Sequence, residues 1–305
     1  MLDEGKRLQM LTRPSGAVDV LLDSDMFNEI DDQYALAYLL QSSDKLKLKG
    51  ILAAPFANHH AKNAKEGMEK SEREIYHILQ LMGREELNGI VYSGAMSFLP
   101  DEQTPVDSPA AQKIVQEAMQ HTPENPLYVI GIAAATNLAS ALLLEPAIID
   151  RTVMVWLGGR SFDWPDNCSF NARQDVAAAR VLLGCGVPVV LLPGHGVVDH
   201  FTTTGPELRY WLGGKNSFCD YMVEKTEQEA MLKGQGKCWS RAIWDVTAVA
   251  WLLDEAFMSD RLEHSPIMEY DHHYSFDHTR HFIRYVYHIH RDALMEDMFA
   301  KLSTL

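Results

Sequence analysis

The sequence predicts an α/β fold, a single domain with a mixed, mostly parallel sheet and helices on both faces. Two observations lead there. Short β-branched and aliphatic runs alternate with segments of helical spacing along most of the chain, and such alternation implies βαβ units. A cluster of carboxyl groups also stands where the first predicted strand meets the first predicted helix, the end of such sheets at which ligands bind.

Taken in order, Val18 to Leu22 has the composition of a buried strand, and Ala35, Leu36, Leu39 and Leu40 recur at the spacing of one helical face. Lys49 to Ala54 reads as a second strand, followed by a polar loop at Pro55 to Lys65 and a helix from Glu66 to Met82. Leu127 to Ile132 is a third apolar run, which passes through Ala133, Ala134, Ala135, Thr136 and Asn137 into a helix ending near Pro146. Val153 to Leu157 and Val187 to Leu192 read as strands, with a helix at Val176 to Leu183 between them. Residues 206 to 233 read as two helices, including the amphipathic Phe218 to Leu232. A Gly-rich link at 234–236 then leads to a helix at Asp245 to Leu253. Ile267 to Tyr270 and His281 to His290 read as strands joined by a polar segment rich in His and Asp, and Asp292 to Leu302 as a closing amphipathic helix. Neither an internal repeat nor a low-complexity linker is present. One domain over 1–305 follows, with a helical insertion around 206–240.

Between Val18 and Leu40 lie Asp23, Asp25, Glu29, Asp31 and Asp32. Five carboxyl groups so close repel one another unless a positive charge sits among them, and a cation is the simplest remedy. The competing explanation is that Asp31 and Asp32 cap the helix. Capping needs one acid or two, and strongly perturbed carboxylate clusters favour functional sites. Asp245 has the same alternative, and Asn171 reads equally well as a polar loop residue.

Composition narrows the classes. The 305 residues are 47% hydrophobic and 23% charged, as in ordinary globular proteins. The formal charge of −15 argues against a nucleic-acid partner or an anionic membrane, which call for clustered Lys and Arg. It suits a cation or a neutral small molecule. Cys168, Cys185, Cys219 and Cys238 form no CxxC pair, no apolar run is long enough for a membrane span, and no signal-peptide pattern opens the chain. A cytoplasmic protein with reduced thiols is expected.

The blocks Asp23-Ser24-Asp25 with Asp31-Asp32-Gln33-Tyr34-Ala35-Leu36, Ala135-Thr136-Asn137-Leu138-Ala139, Phe170-Asn171 with Asp175, and Asp245-Val246-Thr247-Ala248-Val249-Ala250 resemble, in order, the signature blocks of the inosine-uridine-preferring nucleoside hydrolases. The resemblance implies that family's Rossmann-like α/β domain, a bound Ca²⁺ at the strand carboxyl ends, and hydrolysis of the N-glycosidic bond of ribonucleosides. It implies that Asp25 binds Ca²⁺ and takes a proton from the attacking water. Asp32, Asp245 and the Ile132 carbonyl are implied as further calcium ligands, and Asp31 and Asn171 as holders of the ribose hydroxyls. Asp245, Asn58, Glu29 and Trp244 complete the expected substrate contacts, and a homodimer or homotetramer is implied. The chemistry agrees, because Ca²⁺ takes about 6 to 8 oxygen ligands.

Three departures bear on the substrate. Met26 to Ile30 makes the loop between Asp25 and Asp31 two residues longer than in common members. Ser169 stands where many have a Glu for the sugar's 5′ end. Trp244 stands where purine-cleaving members often have His, and an indole cannot protonate a leaving base. Weak turnover of inosine and adenosine follows unless another residue supplies the proton. His195 and His200 read as loop residues, and Tyr221 as a wall or proton donor for the base. The six His between 272 and 290 read as surface or partly buried groups near a substrate lid rather than as a second metal site. Two rival readings remain: a non-catalytic Ca²⁺-containing ribosyl-binding or assembly subunit, and a DxD phosphatase of the haloacid-dehalogenase type. Asp31-Asp32, opening the first helix directly, speaks against the phosphatase.

Overall fold

A computed structural model describes residues 2–232 and 238–305; the Gly-rich link read at 234–236 lies outside them. The strands are β1 Val18–Ser24, β2 Leu46–Ala53, β3 Val91–Ser93, β4 Leu127–Gly131, β5 Thr152–Leu157, β6 Val189–Leu192, β7 Thr202–Thr203, β8 Arg241–Ala242, β9 Met258–His264, β10 Ile267–Met268, β11 Tyr274–Ser275 and β12 Phe282–Ile289. Eight of them form one sheet in the order β3-β2-β1-β4-β5-β6-β12-β9. Every pairing in it is parallel except β12 with β9. The mixed, mostly parallel sheet is therefore as expected.

Alternation along each central strand feeds two separate cores. Val20 and Leu22 of β1, Ile130 of β4 and Val155 of β5 pack on the helices Asp31–Leu40, Ala64–Leu81, Val246–Trp251 and Arg291–Leu302. Leu21, Val129, Met154 and Trp156 face the helices Pro109–Ala118, Thr136–Leu144 and Val176–Gly184 on the other side. Strands buried on both faces read as continuous apolar runs, which is why β1, β4, β5 and β6 stand out in the sequence.

Other elements escape that rule. β9 carries Ser259, Asp260, Arg261 and Glu263 at the sheet edge and is mostly half-exposed, so it has no apolar run to see. The short β3, the helix Glu4–Met10 and the helix Pro109–Ala118 were likewise not anticipated. Ser108 caps the last of these by accepting from Ala111 N at 3.1 Å, with Pro109 in its first turn, a start signal the sequence does contain. The strand expected over Ile267 to Tyr270 is corrected to Ile267–Met268, which pairs antiparallel with Tyr274–Ser275 outside the main sheet. In the 206–240 region, helices run over Gly205–Trp211 and Ser217–Leu232.

Candidate active site

A cavity of about 460 Å³ opens beyond the carboxyl ends of β1, β4, β5 and β6. Asp25, Glu29, Asp31, Asp32, Asn58, Ile132, Asn171, Trp244 and Asp245, the site residues expected from the sequence, all line it. Asp23, the first of the five clustered acids, does not line it. Its carboxylate is buried below, accepting from Asn137 Nδ2 at 2.7 Å, and burial pushes its pKa up to about 7 against that hydrogen bond.

The capping explanation fails for each remaining Asp. Ile30 occupies the cap position of the helix Asp31–Leu40 without a side-chain hydrogen bond, and Asp245 precedes the helix Val246–Trp251 without capping it. Asp25, Asp31, Asp32 and Asp245 are each no more than 4% exposed. One carboxylate oxygen from each of Asp31, Asp32 and Asp245 lies within 4.8 Å of the others. Asp25 stands outside that spacing, and its buried Oδ2 has no hydrogen-bond partner. Burial, then the charges of Asp32 and Asp31, drive the Asp25 carboxyl far above the usual carboxylate range. Burial and then Asp31 do the same to Asp32, and Asp245 is raised by burial, Asp31, Asp32 and Asp25. Four carboxyls so placed cannot all ionise without a counter-charge. The donor set is all oxygen, which fits a hard divalent cation.

Some of the oxygens are already oriented. Ser24 Oγ donates to Asp32 Oδ1 at 2.5 Å. Asn171 Nδ2 donates to the carbonyls of Ile132 at 3.0 Å and Leu157 at 2.9 Å. That leaves the Asn171 amide oxygen with no partner among the described residues. Asp175, by contrast, is structural: it accepts from Ala178 N at 2.9 Å, Leu99 N at 2.9 Å and Thr136 Oγ1 at 2.8 Å.

The longer loop from Met26 to Ile30 is tied down. Asn28 N donates to Asp25 O at 2.7 Å, Gln33 Nε2 to Met26 O at 2.8 Å, and Asn58 Nδ2 to Asn28 Oδ1 at 2.7 Å. Asn58 Oδ1 accepts from His60 N at 2.7 Å, so both polar atoms of Asn58 serve the loops. Ser169 is also occupied: its Oγ accepts from Gly159 N at 2.8 Å.

Sequence reasoning missed Arg241. The short β7–β8 pairing places it against the site, where its guanidinium reaches Glu29 at 2.7 Å, Glu229 at 3.3 Å and Asp31 at 3.7 Å. Burial works against its charge, but Asp31, Glu29 and Glu229 outweigh it and hold the guanidinium protonated. Its only signal in the sequence is a cation four residues before Asp245. Arg241→Met should destabilise the metal-free protein by about 3 kcal/mol, since removing one partner strands a buried charge. Urea unfolding in chelator measures this, and an unchanged midpoint would contradict it.

The Tyr221 assignment changes. Tyr221 is not a wall of the cavity; its hydroxyl donates to Glu74 Oε1 at 2.8 Å and its ring meets His77 edge-on. None of the His between 272 and 290 lines the cavity, and among the described residues none joins a metal-type cluster. His288 and His290 are exposed with ring centroids 5.0 Å apart. His200 stays outside, but His195, read as a loop residue, lines the cavity.

The sequence matches the inosine-uridine preferring nucleoside hydrolase family over residues 20–284. The chain belongs to that family. It is an N-ribosyl hydrolase, a glycosidase acting on small-molecule nucleosides, which removes the phosphatase alternative. Solved nucleoside hydrolases share its fold. A plant nucleoside hydrolase is 15% identical with a TM-score of 0.75, covering 94% of this chain and 99% of its own. A purine-preferring ribonucleoside hydrolase from Gardnerella vaginalis is 19% identical with a TM-score of 0.71, covering 94% and 98%. An inosine-uridine preferring nucleoside hydrolase from Bacillus anthracis is 16% identical with a TM-score of 0.65, covering 94% and 100%. A search of curated proteins gave no match. No helix among the described residues of this nucleoside hydrolase is long and apolar enough to cross a membrane. The four cysteines are free thiols.

Proposed function

We propose that this nucleoside hydrolase cleaves the N-glycosidic bond of a ribonucleoside or closely related ribosyl compound in a calcium-dependent reaction. The observation that carries the reading is the set of four buried, uncapped aspartates at the strand ends, Asp25, Asp31, Asp32 and Asp245. Asp25, Asp32, Asp245 and the Ile132 carbonyl would hold the ion, with Asp31 adjoining. Calcium, when bound, supplies a hard positive charge that ionises the cluster and makes a neighbouring water easier to deprotonate. Asp25 accepts the proton of the attacking water. Asp31 and the free amide oxygen of Asn171 accept hydrogen bonds from the sugar hydroxyls. Glu29 and Asn58 fix the lengthened loop over the sugar, and the indole of Trp244 forms part of the wall beside the base.

Hydrolysis of a panel of ribonucleosides, with thermal stability measured on the same panel with and without calcium, tests this. Turnover that needs calcium and a ribosyl group supports it. Ligand-dependent stabilisation without turnover would instead favour a non-catalytic ribosyl-binding protein. The family resemblance also leads us to propose a homodimer or homotetramer, to be measured by sedimentation equilibrium.

A further inference from the structure

The sugar end of the cavity is rich in carboxylates, but Trp244 brings no proton to the base. The turn after β6 brings a histidine to the same cavity. Pro193, Gly194, His195 and Gly196 leave the strand in a loop pinned by its backbone. Gly194 N donates to Gly159 O at 3.0 Å, Ser161 N to His195 O at 2.9 Å, and Val198 N to Gly194 O at 2.9 Å. Gly196 N donates to both oxygens of Asp199 at 3.1 Å. Gly196 has φ +87°, and a Cβ there would come within 2.8 Å of Ser161 Cβ and 3.1 Å of Trp164, so only glycine suits this position.

Two indoles then fix the imidazole. His195 stacks on Trp244 with centroids 5.1 Å apart and planes at 29°, and meets Trp164 edge-on at 6.1 Å. Despite this confinement, neither ring nitrogen makes a hydrogen bond among the described residues, and neither is sealed from the cavity. A half-buried imidazole held against an aromatic wall with both nitrogens uncommitted is placed to exchange a proton with whatever enters. The other lining groups serve less well. Arg160, Arg173 and Arg241 cannot give up a proton at ordinary pH, and His59 is exposed, its ring tilted at 43° against His60 with centroids 3.8 Å apart.

We propose that His195, held face to face with Trp244, is the acid that protonates the departing base in the hydrolysis proposed above. As the C1′–N bond breaks, its electron pair stays with the base. The imidazolium of His195 gives a proton to a ring nitrogen or exocyclic oxygen of that base. The oxygen of water bonds to C1′ and its proton passes to Asp25. The neutral imidazole and the carboxylic acid then exchange protons with solvent, so nucleoside and water become ribose and base.

Burial, with the Arg160 charge, lowers the His195 pKa below its ordinary 6.5, while Asp199 and Asp166 pull the other way. Arg160 is itself paired with Asp166. A lowered pKa makes a stronger acid that is loaded only on the acid side. The rate on a natural nucleoside should therefore fall as pH rises, with a midpoint below 6.5.

The test is His195→Asn, with inosine, uridine and p-nitrophenyl riboside as substrates, because p-nitrophenolate departs without a proton. The variant should lose about 100-fold or more in kcat on inosine or uridine and stay within about threefold of wild type on the activated riboside. Its nucleoside profile should also lose the fall with rising pH. Equal losses on all three compounds would mean a packing role and overturn the assignment, as would the same selective loss from His59→Asn instead. If wild type cleaves the activated riboside in an Asp25-dependent way but shows no advantage over the variant on nucleosides, only His195 is rejected. If wild type cleaves none of the three, the hydrolytic reading falls with it.

Discussion

Asp25→Asn is expected to lower kcat on any ribosyl substrate by about 1,000-fold, within the range general-base catalysis supplies, while leaving the fold intact. The amide still offers one oxygen to a cation but cannot accept the water's proton. Little else is disturbed, because the buried Oδ2 of Asp25 has no hydrogen-bond partner to lose. Burying a neutral amide also relieves the repulsion from Asp31 and Asp32 that raises the wild-type carboxyl. The measurement is steady-state kinetics on protein shown by metal analysis to retain calcium. Activity within tenfold of wild type on such protein would reject Asp25 as the base.

Asp32→Ala should abolish stoichiometric calcium binding. Asp32 belongs to the carboxylate trio within 4.8 Å, and Ser24 already aims one of its oxygens. Stability supplies a second readout whose sign depends on the ion. In chelator the variant should melt no lower than wild type, since a like charge has left a crowded buried cluster. Added calcium should raise the wild-type midpoint by several degrees, as any ligand specific for the native state does, and leave the variant unmoved. Full calcium occupancy in Asp32→Ala would remove it from the ligand set.

Half of the site was legible because it is contiguous. Asp25, Asp31 and Asp32 sit on one strand–helix junction, and their number alone exceeds what capping requires. Ile132 could be placed because it ends a recognisable apolar run, Asn171 and Asp245 because their blocks resemble those of the family. Arg241 could not, since it reaches the cavity through long-range geometry, and His195, though it follows the apolar run of β6, carries no motif that sets it apart from a loop histidine. A two-residue β-pairing with Thr203 carries Arg241 in, and a glycine turn presents His195. Tyr221 shows the opposite failure: an aromatic on an amphipathic helix near the site in sequence, yet spent on Glu74 and His77. In the fold, apolar runs marked the interior strands, while β9 stayed hidden because an edge strand need not be apolar.

Two hydrogen bonds described separately form a pair. Asn171 bonds to the carbonyl of Ile132, and four residues further along both segments Asp175 bonds to Thr136. These are two rungs between the same two connections, with equal arc on each side. A residue inserted in either segment would keep one rung only by breaking the other, unless its counterpart grew by the same amount. The distance between two motif blocks far apart in the chain is thus held by a shared gauge. Asp175, which never touches the cavity, sets the register in which Ile132 and Asn171 meet.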